Sequence, residues 1–460
     1  MANLLRTKRS RIFAPVNLPI LSFAGLILIG TVLLMLPAAA NGPRLAVVDA
    51  FFTATSATCV TGLVVVETGS RLSLFGQSVV LVLIQCGGLG IMAFSTVLIL
   101  LMTGKFSFTQ RSVIQDTFTH GPDTRLPSLV RHVVMFTLLL ELVGAALLFL
   151  RFSGMYHPAK ALYFAVFHAV SAFCNAGFCL YSQSFIDFKS DPLVNLTVAS
   201  LIICGGLGFL VLLELKRIFL ERHQTRRARR LSVHSKLVLT LTCLLLTVGT
   251  MGFLVYEWNQ SLAGLSFPTK LMAAFFQSVT ARTAGFNTLN FGKMANVTLL
   301  FTILLMFIGA ASGSTGGGIK INSLGVLFAL SRSRLRGEKA TSIFRRTLSP
   351  ETVGRAISVF VVAVIVIYAA TMALTVSELG TTIHEESRGL FLELLFEVVS
   401  AFGTVGLSVG LTSKLSTLGK LILSVVMFIG RLGPLSIAVA LSGKQPSSKF
   451  QYAEENVMIG

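Results

Sequence analysis

The chain has 460 residues, 53% of them hydrophobic and only 12% charged, with a mean hydropathy of +0.80. A soluble domain carries about 25% charged residues, so long apolar runs at half that charge exclude an ordinary soluble enzyme and point to the bilayer. The formal net charge of +19 would suggest nucleic acid in a soluble protein, but here the basic residues fall in short loops between apolar runs, which is the positive-inside pattern and leaves no nucleic-acid partner.

In chain order, apolar runs of about 20 residues or more, enough to span, are predicted near 16–38, 76–102, 132–151, 191–215, 236–258, 294–330, 356–377 and 416–442. The first follows Arg6, Lys8, Arg9 and Arg11 and ends at Pro37-Ala38-Ala39-Ala40, which resembles a secretory signal with a small-residue cleavage site. Its length, and the repeat that needs it, favour a retained span. Between the members of each pair lies a stretch too short to cross, near 46–63, 159–178, 268–287 and 389–408. The order span, re-entrant segment, span therefore occurs four times.

Basic residues set the orientation. Lys105, Arg111, Arg125 and Arg131 lie between units one and two. Lys216, Arg217, Arg222, Arg226, Arg227, Arg229, Arg230 and Lys236 lie between two and three, and Arg332, Arg334, Arg336, Lys339, Arg345, Arg346 and Arg355 between three and four. The opposite loops are poorer in positive charge, so both termini and all three connections are expected in the cytoplasm. The same basic runs suit anionic membrane lipids. The repeats are expected at 1–102, 103–216, 217–334 and 335–442, with a polar tail at 443–460. The six cysteines all sit in apolar segments, without C-x-x-C pairs or a histidine cluster, and read as buried small hydrophobes. Neither a metal site nor a catalytic constellation is expected, since no H-E-x-x-H or comparable motif is present.

The four short segments stack on one glycine. Around Gly62 the chain reads FTATSATCVTGL, around Gly177 FHAVSAFCNAGF, around Gly285 FFQSVTARTAGF and around Gly406 FEVVSAFGTVGL, with the glycines 115, 108 and 121 residues apart. A second landmark follows each: Cys86-Gly-Gly-Leu-Gly90, Cys204-Gly-Gly-Leu-Gly208, the run Gly309 to Gly318, and Gly430-Arg-Leu-Gly-Pro434. Gly87, Gly88, Gly205 and Gly206 read as helix-packing glycines. Repetition at a quarter of the chain implies a pseudo-fourfold assembly. Four short helices could aim the negative ends of their dipoles at one axis. The extended residues after them would present carbonyl oxygens in place of a cation's hydration shell.

At these residues the chain resembles the Trk/Ktr/HKT superfamily of potassium transporters, over nearly its whole length, and the Ktr type in starting directly with unit one. The resemblance implies an all-α polytopic membrane protein with eight transmembrane helices in four M1-P-M2 repeats around a central pore. It implies a filter of Val60, Thr61, Gly62, Asn175, Ala176, Gly177, Thr283, Ala284, Gly285, Thr404, Val405 and Gly406, with glycine in all four places going with potassium over sodium. It further implies an intramembrane gate at 309–320, with Gly309, Gly313, Ser314, Thr315, Gly316, Gly317, Gly318 and Lys320, and Arg431 in the cavity beneath the filter. A phosphate-binding loop is the competing reading of that run, but Gly318-Ile319-Lys320-Ile321 lacks the required Gly-Lys-Ser/Thr.

Potassium, with sodium as a further possible ion, is thus the expected substrate, and no covalent cofactor or enzyme activity is expected. The resemblance also implies a homodimer in the bacterial plasma membrane, resting on a separate RCK-type nucleotide-binding ring. An alternating-access sodium/potassium symporter is the rival. Arg282, Glu141 and Glu214 lie at or near membrane depth, and Glu393 and Glu397 are expected to partner Arg282.

Overall fold

The computed structural model describes residues 18–89, 126–221, 231–383 and 385–433. The polar tail, the first 17 residues and most of the first two basic connections lie outside them. Unit one contributes α1 (Leu18–Leu34), α2 (Val47–Thr58), the single turn α3 (Thr68–Arg71) and α4 (Leu74–Gly88). Unit two contributes α5 (Leu126–Phe152), α6 (Pro158–Phe173), α7 (Pro192–Leu207) and α8 (Phe209–Glu221). Unit three follows as α9 (Val233–Glu257), α10 (Phe267–Thr280), α11 (Asn296–Phe307) and α12 (Ile321–Leu335). A two-stranded hairpin, β1 (Ser342–Ile343) against β2 (Arg346–Thr347), leads into α13 (Pro350–Leu379), α14 (Leu390–Gly403) and α15 (Thr417–Leu432).

Local chemistry marks many of these starts. Ser73, Asp191, Ser232, Ser349 and Ser416 each accept from the N–H three residues on, closing the first turns of α4, α7, α9, α13 and α15. Pro158, Pro192 and Pro350 open their helices, where the missing N–H costs nothing.

Three helical stretches are long and apolar enough to cross a membrane among the described residues: Arg131–Phe152, Val233–Glu257 and Pro350–Leu379. Each shows its apolar side chains outward, as Leu142, Val255 and Tyr368 do at 67–71% exposure, which water would penalise and lipid would not. Trp258, at the end of α9, lies under the Lys270 ammonium at 4.0 Å, the pairing of an interfacial anchor.

One expectation fails. The span near 191–215 is not one helix, because α7 and α8 meet at 100°. Gly208 takes φ 86° at the corner, and the Phe209 N–H leaves the helical ladder to donate to the Gly313 carbonyl (3.1 Å). The apolar run is continuous, so nothing in its hydropathy marks the turn.

The core forms two large apolar bodies, one mainly from units one and two, the other mainly from three and four. Polar ties hold the outer ends of paired helices. Glu257 ends α9 and accepts from Ala295 N (3.1 Å) and Thr298 Oγ1 (2.5 Å) at the start of α11. Glu378, near the end of α13, does the same for Ser416, and Arg151 on α5 grips Asp191 before α7. Unit one uses a neutral version, with Asn41 donating to the Ser70 and Leu72 carbonyls. Unit one also closes on unit four: α2 packs against α15, and Lys420 pairs with Asp49 at 2.8 Å.

Candidate functional site

The four short helices α2, α6, α10 and α14 end within a few residues of Gly62, Gly177, Gly285 and Gly406. Two residues before each glycine the backbone is left-handed, at Val60 (φ 56°), Asn175 (60°), Thr283 (71°) and Thr404 (49°). The glycines are left-handed as well, with φ from 71° to 89°, a conformation cheap only for glycine.

The strand N–H groups point back into the helix ends. Thr61, Ala176 and Val405 donate to the Ser56, Ser171 and Ser400 carbonyls at 2.7–2.8 Å, and Ala284 donates to Thr280 at 3.0 Å. Hydroxyls then fix the exit of three strands. Ser56 Oγ accepts from Gly62 N (3.1 Å) and donates to Leu63 O (2.7 Å). Ser171 donates to Phe178 O (2.8 Å) and Thr280 to Phe286 O (2.6 Å). Among the described residues no hydrogen bond runs to the carbonyls of the twelve predicted filter residues. Buried acceptors are normally paired, so a set of unpaired carbonyls in largely buried residues is unusual.

The strands meet in a closed circle. A methyl built on Gly62 would lie 3.0 Å from Gly177 Cα, one on Gly177 3.0 Å from Gly285 Cα, one on Gly285 3.2 Å from Gly406 Cα, and one on Gly406 3.0 Å from Gly62 Cα. Every one of those positions also runs into a carbonyl of the next strand: Ala176, Ala284, Val405 and Thr61 in turn. No side chain fits anywhere on the circle. The structure thus brings all twelve predicted filter residues together.

The predicted gate residues lie against the same strands. The N–H of Gly309 donates to Ile319 O (2.9 Å), closing the loop on itself. Thr315 donates from its N–H to Gly205 O (3.2 Å) and from its hydroxyl to Phe173 O (3.3 Å), both in unit two. Gly316 faces the Thr283 side chain of unit three. The Gly317 N–H donates to Thr404 Oγ1 (3.0 Å), and the Gly318 N–H to Gly430 O (3.2 Å), both in unit four. Arg431, 6% exposed, completes the set: Nη1 donates to Thr315 O and Nη2 to Gly87 O of unit one. Its guanidinium therefore meets two main-chain carbonyls, not a carboxylate. Lys320 Nζ caps the Gly316 carbonyl, Ser314 Oγ donates to Ala311 O (2.6 Å), and Gly313 turns the chain at φ 74°.

Gly87, Gly205 and Gly430 are close-approach glycines. A methyl on them would strike the carbonyls of Thr58, Phe173 and Phe402 at the ends of the short helices. Of the four glycines expected to pack helices, Gly87 and Gly205 do so against backbone, Gly88 lies against the Cys174 side chain, and Gly206 has only ordinary contacts at 3.6 Å and beyond. Arg282 departs from expectation. Glu397 does not reach it, being taken by Ser408 Oγ (2.5 Å), Val409 N (3.2 Å) and Thr412 Oγ1 (2.5 Å). Arg282 donates instead to Thr242 Oγ1 at 3.4 Å. Glu141 is buried beside Gln85 (3.3 Å) and Cys174 (3.7 Å), and Glu214 caps the start of α9 through Ser232 and Ser235.

Sequence reading missed His168. Its Nε2 accepts from Leu180 N at 3.2 Å, so the proton sits on Nδ1, which donates to Phe164 O at 2.7 Å. Stacked on Tyr181 and ringed by phenylalanines, it holds the chain just beyond Gly177. A lone histidine on an apolar helix gives no sequence signal for that task.

Fold and site together define a helical membrane protein centred on a circle of main-chain carbonyls. The chain belongs to the TrkH family of cation transport proteins, whose sequence pattern matches residues 15–452. It is 39% identical over 450 residues to Ktr system potassium uptake protein B of Bacillus subtilis (strain 168), covering 97% of both chains. It is 37% identical over 451 residues to the potassium/sodium uptake protein NtpJ of Enterococcus hirae, again covering 97% of each. The crystal structure of the potassium transporter TrkH from Vibrio parahaemolyticus shares the fold, with a TM-score of 0.71 at 20% identity over 91% of this chain and 82% of that one.

Proposed function

We propose that this chain admits potassium through a single axial pore whose filter is the circle of Gly62, Gly177, Gly285 and Gly406. The closed circle of unpaired carbonyls carries the reading. A dehydrated cation on the axis gains oxygen ligands from four strands, while the C-terminal dipoles of α2, α6, α10 and α14 favour positive charge there. The strand N–H groups are tied back and cannot repel it. Potassium as the ion follows from glycine at all four places and from the name of the Bacillus relative; sodium as a second ion, and a symport mechanism, draw on the name of the Enterococcus one.

In this reading eight spans form four M1-P-M2 repeats around the pore, α7 with α8 and α11 with α12 each counting as one broken span. Both termini face the cytoplasm, in a bacterial plasma membrane. The loop at 309–320 is the gate, wedged under the filter by contacts to units two, three and four, and Arg431, which also reaches the Gly87 carbonyl of unit one, is its bolt. A homodimer on a separate RCK-type nucleotide-binding ring would bias that loop, a two-state element, with the Ktr system named for the Bacillus relative as the precedent for a partner subunit. Arg431→Ala removes both bonds of the bolt and should raise flux; unchanged flux at equal expression would remove Arg431 from the gate.

The deciding experiment is rubidium uptake into liposomes containing the purified chain. Wild type should pass rubidium well above protein-free liposomes, and Gly62→Ser should lose the preference for potassium over sodium. No rubidium passage by a folded wild type, or a Gly62→Ser variant with unaltered selectivity, would falsify the reading.

A further inference from the structure

The side chains at the left-handed filter positions touch the gate loop directly. Thr404 Oγ1 accepts the Gly317 N–H at 3.0 Å, and the three atoms nearest to a methyl on Gly317 would be Oγ1, Cγ2 and Cβ of Thr404. A methyl on Gly316 would likewise strike Thr283 Oγ1. Both threonines are fully buried. Thr283 has a partner of its own: in the orientation that satisfies both amide atoms, Asn175 donates to the Ala172 (3.1 Å) and Ile202 (3.2 Å) carbonyls and accepts from the Thr283 hydroxyl at 3.2 Å. Thr404 differs, since its oxygen accepts from the loop. Thr404 is left-handed at φ 49° and ψ 51°, two residues before Gly406, so its carbonyl and hydroxyl both belong to the inner end of the filter strand.

We propose that Thr404 is a latch that serves gate and ion in turn. With the loop seated, its hydroxyl oxygen holds the Gly317 N–H. With the loop withdrawn, the same oxygen, beside the inner filter carbonyls, becomes a ligand for an alkali cation at the innermost site. One of its lone pairs is held by the Gly317 N–H, and the Gly317 backbone is packed so close to that oxygen that a methyl there would overlap it, leaving a cation no room to approach, so loop closure and cation occupancy of that site exclude one another. Potassium arriving through the filter therefore favours the open loop, without any partner subunit. No covalent step is involved. The proposal rests on the potassium-pore reading and adds a second, side-chain function to one of its residues.

Three substitutions separate the parts. Thr404→Val keeps the shape and removes the oxygen; Thr404→Ser keeps the oxygen. Gly317→Ala drives a methyl into Thr404, which Thr404→Ala relieves. In liposomes containing the full chain alone, Thr404→Val should raise basal rubidium flux about two- to twelve-fold, as loss of one neutral hydrogen bond predicts, while Thr404→Ser, which keeps the acceptor oxygen, should raise it by less. Gly317→Ala should also raise flux, and Gly317→Ala with Thr404→Ala should fall short of the sum of their separate effects.

Flux alone fails if Thr404→Val damages the filter, so loop position is read independently. A cysteine placed at Ser314, with the native cysteines replaced by serine or alanine, reports the loop to a cytosolic thiol reagent. Potassium in place of choline on the outer side should speed its modification with Thr404 present, and should have no effect once Thr404 is valine. Equal modification in potassium and choline with Thr404 present overturns the latch, as does a potassium effect that survives Thr404→Val, or a Thr404→Ser variant that behaves like the valine one. If the wild type passes no rubidium at all, the pore reading fails first, and the thiol assay shows whether the loop still answers to potassium.

Discussion

The glycine circle and the loop against it are built from the same four units on opposite principles. At the circle the units are nearly interchangeable: each supplies a short helix, an N–H tied back to its end, and a left-handed residue two places before a left-handed glycine. At the loop the units offer different things: the Gly205 and Phe173 carbonyls from two, the loop itself from three, and Thr404, Gly430 and Arg431 from four, while unit one enters only through its Gly87 carbonyl, which Arg431 holds. Repetition suits a site that must surround a spherical ion. On the proposed gate reading, a plug needs one part to be unlike the rest, and unit three would supply it by breaking its last helix after Phe307.

The comparison is broken most directly by moving one substitution between the two regions. Gly285 and Gly313 have similar backbones, at φ 82° and 74°. A methyl on Gly285 would sit 2.7 Å from Val405 O, while one on Gly313 meets nothing within 4 Å. Gly313→Ala therefore carries only the left-handed strain of about 1–2 kcal/mol, whereas Gly285→Ala must also push the circle apart. Gly285→Ala should lower rubidium flux more than tenfold and erase the preference for potassium over sodium. Gly313→Ala should shift flux by roughly thirtyfold at most and leave selectivity intact. Similar selectivity loss in both would show that the two regions are not separate.

A smaller effect tests how far the units are interchangeable. Ser171 and Ser56 both fasten the strand just past the glycine, but Ser56 makes two hydroxyl bonds and Ser171 one. Each neutral bond contributes about 0.5–1.5 kcal/mol. Ser56→Ala should destabilise the detergent-solubilised protein by about twice as much as Ser171→Ala, measured by thermal unfolding. Equal losses would mean that the second bond at Ser56 adds nothing.

Much of the circle was legible because glycine is the one residue that a crowded left-handed position demands, and it recurred in register four times. The left-handed residues before it were not legible. Val60, Thr283 and Thr404 are β-branched, a type that rarely adopts that hand, and only the surrounding helix ends compel it. The bend at Gly208 was hidden by a continuous apolar run, since hydropathy reports the medium and not the direction of the chain. The Arg282 pairing misled for a related reason. Glu393 and Glu397 share a helix face at i,i+4, yet Glu397 turns to the hydroxyls of the loop that follows its own strand, a partner set that linear spacing does not reveal.

The smallest effect concerns where the circle closes on itself. Units one and four are 371 residues apart at Asp49 and Lys420, and these two side chains form an ion pair at 2.8 Å, with exposures of 24% and 16%. Were this pair the clasp of the ring, its loss would unseat α2 from α15 and abolish transport. The packing argues otherwise. Phe52 on α2 and Cys59 just after it are fully buried in the same apolar body as Leu423 and Met427 on α15, and a partly exposed pair contributes about 0–1 kcal/mol. Asp49→Asn should therefore lower thermal stability only slightly, by less than Ser56→Ala, with the difference shrinking as salt screens the charges, and flux should stay within about twofold of wild type. A large loss that salt does not affect would show that the closure of the ring depends on this one contact and not on the apolar body around it.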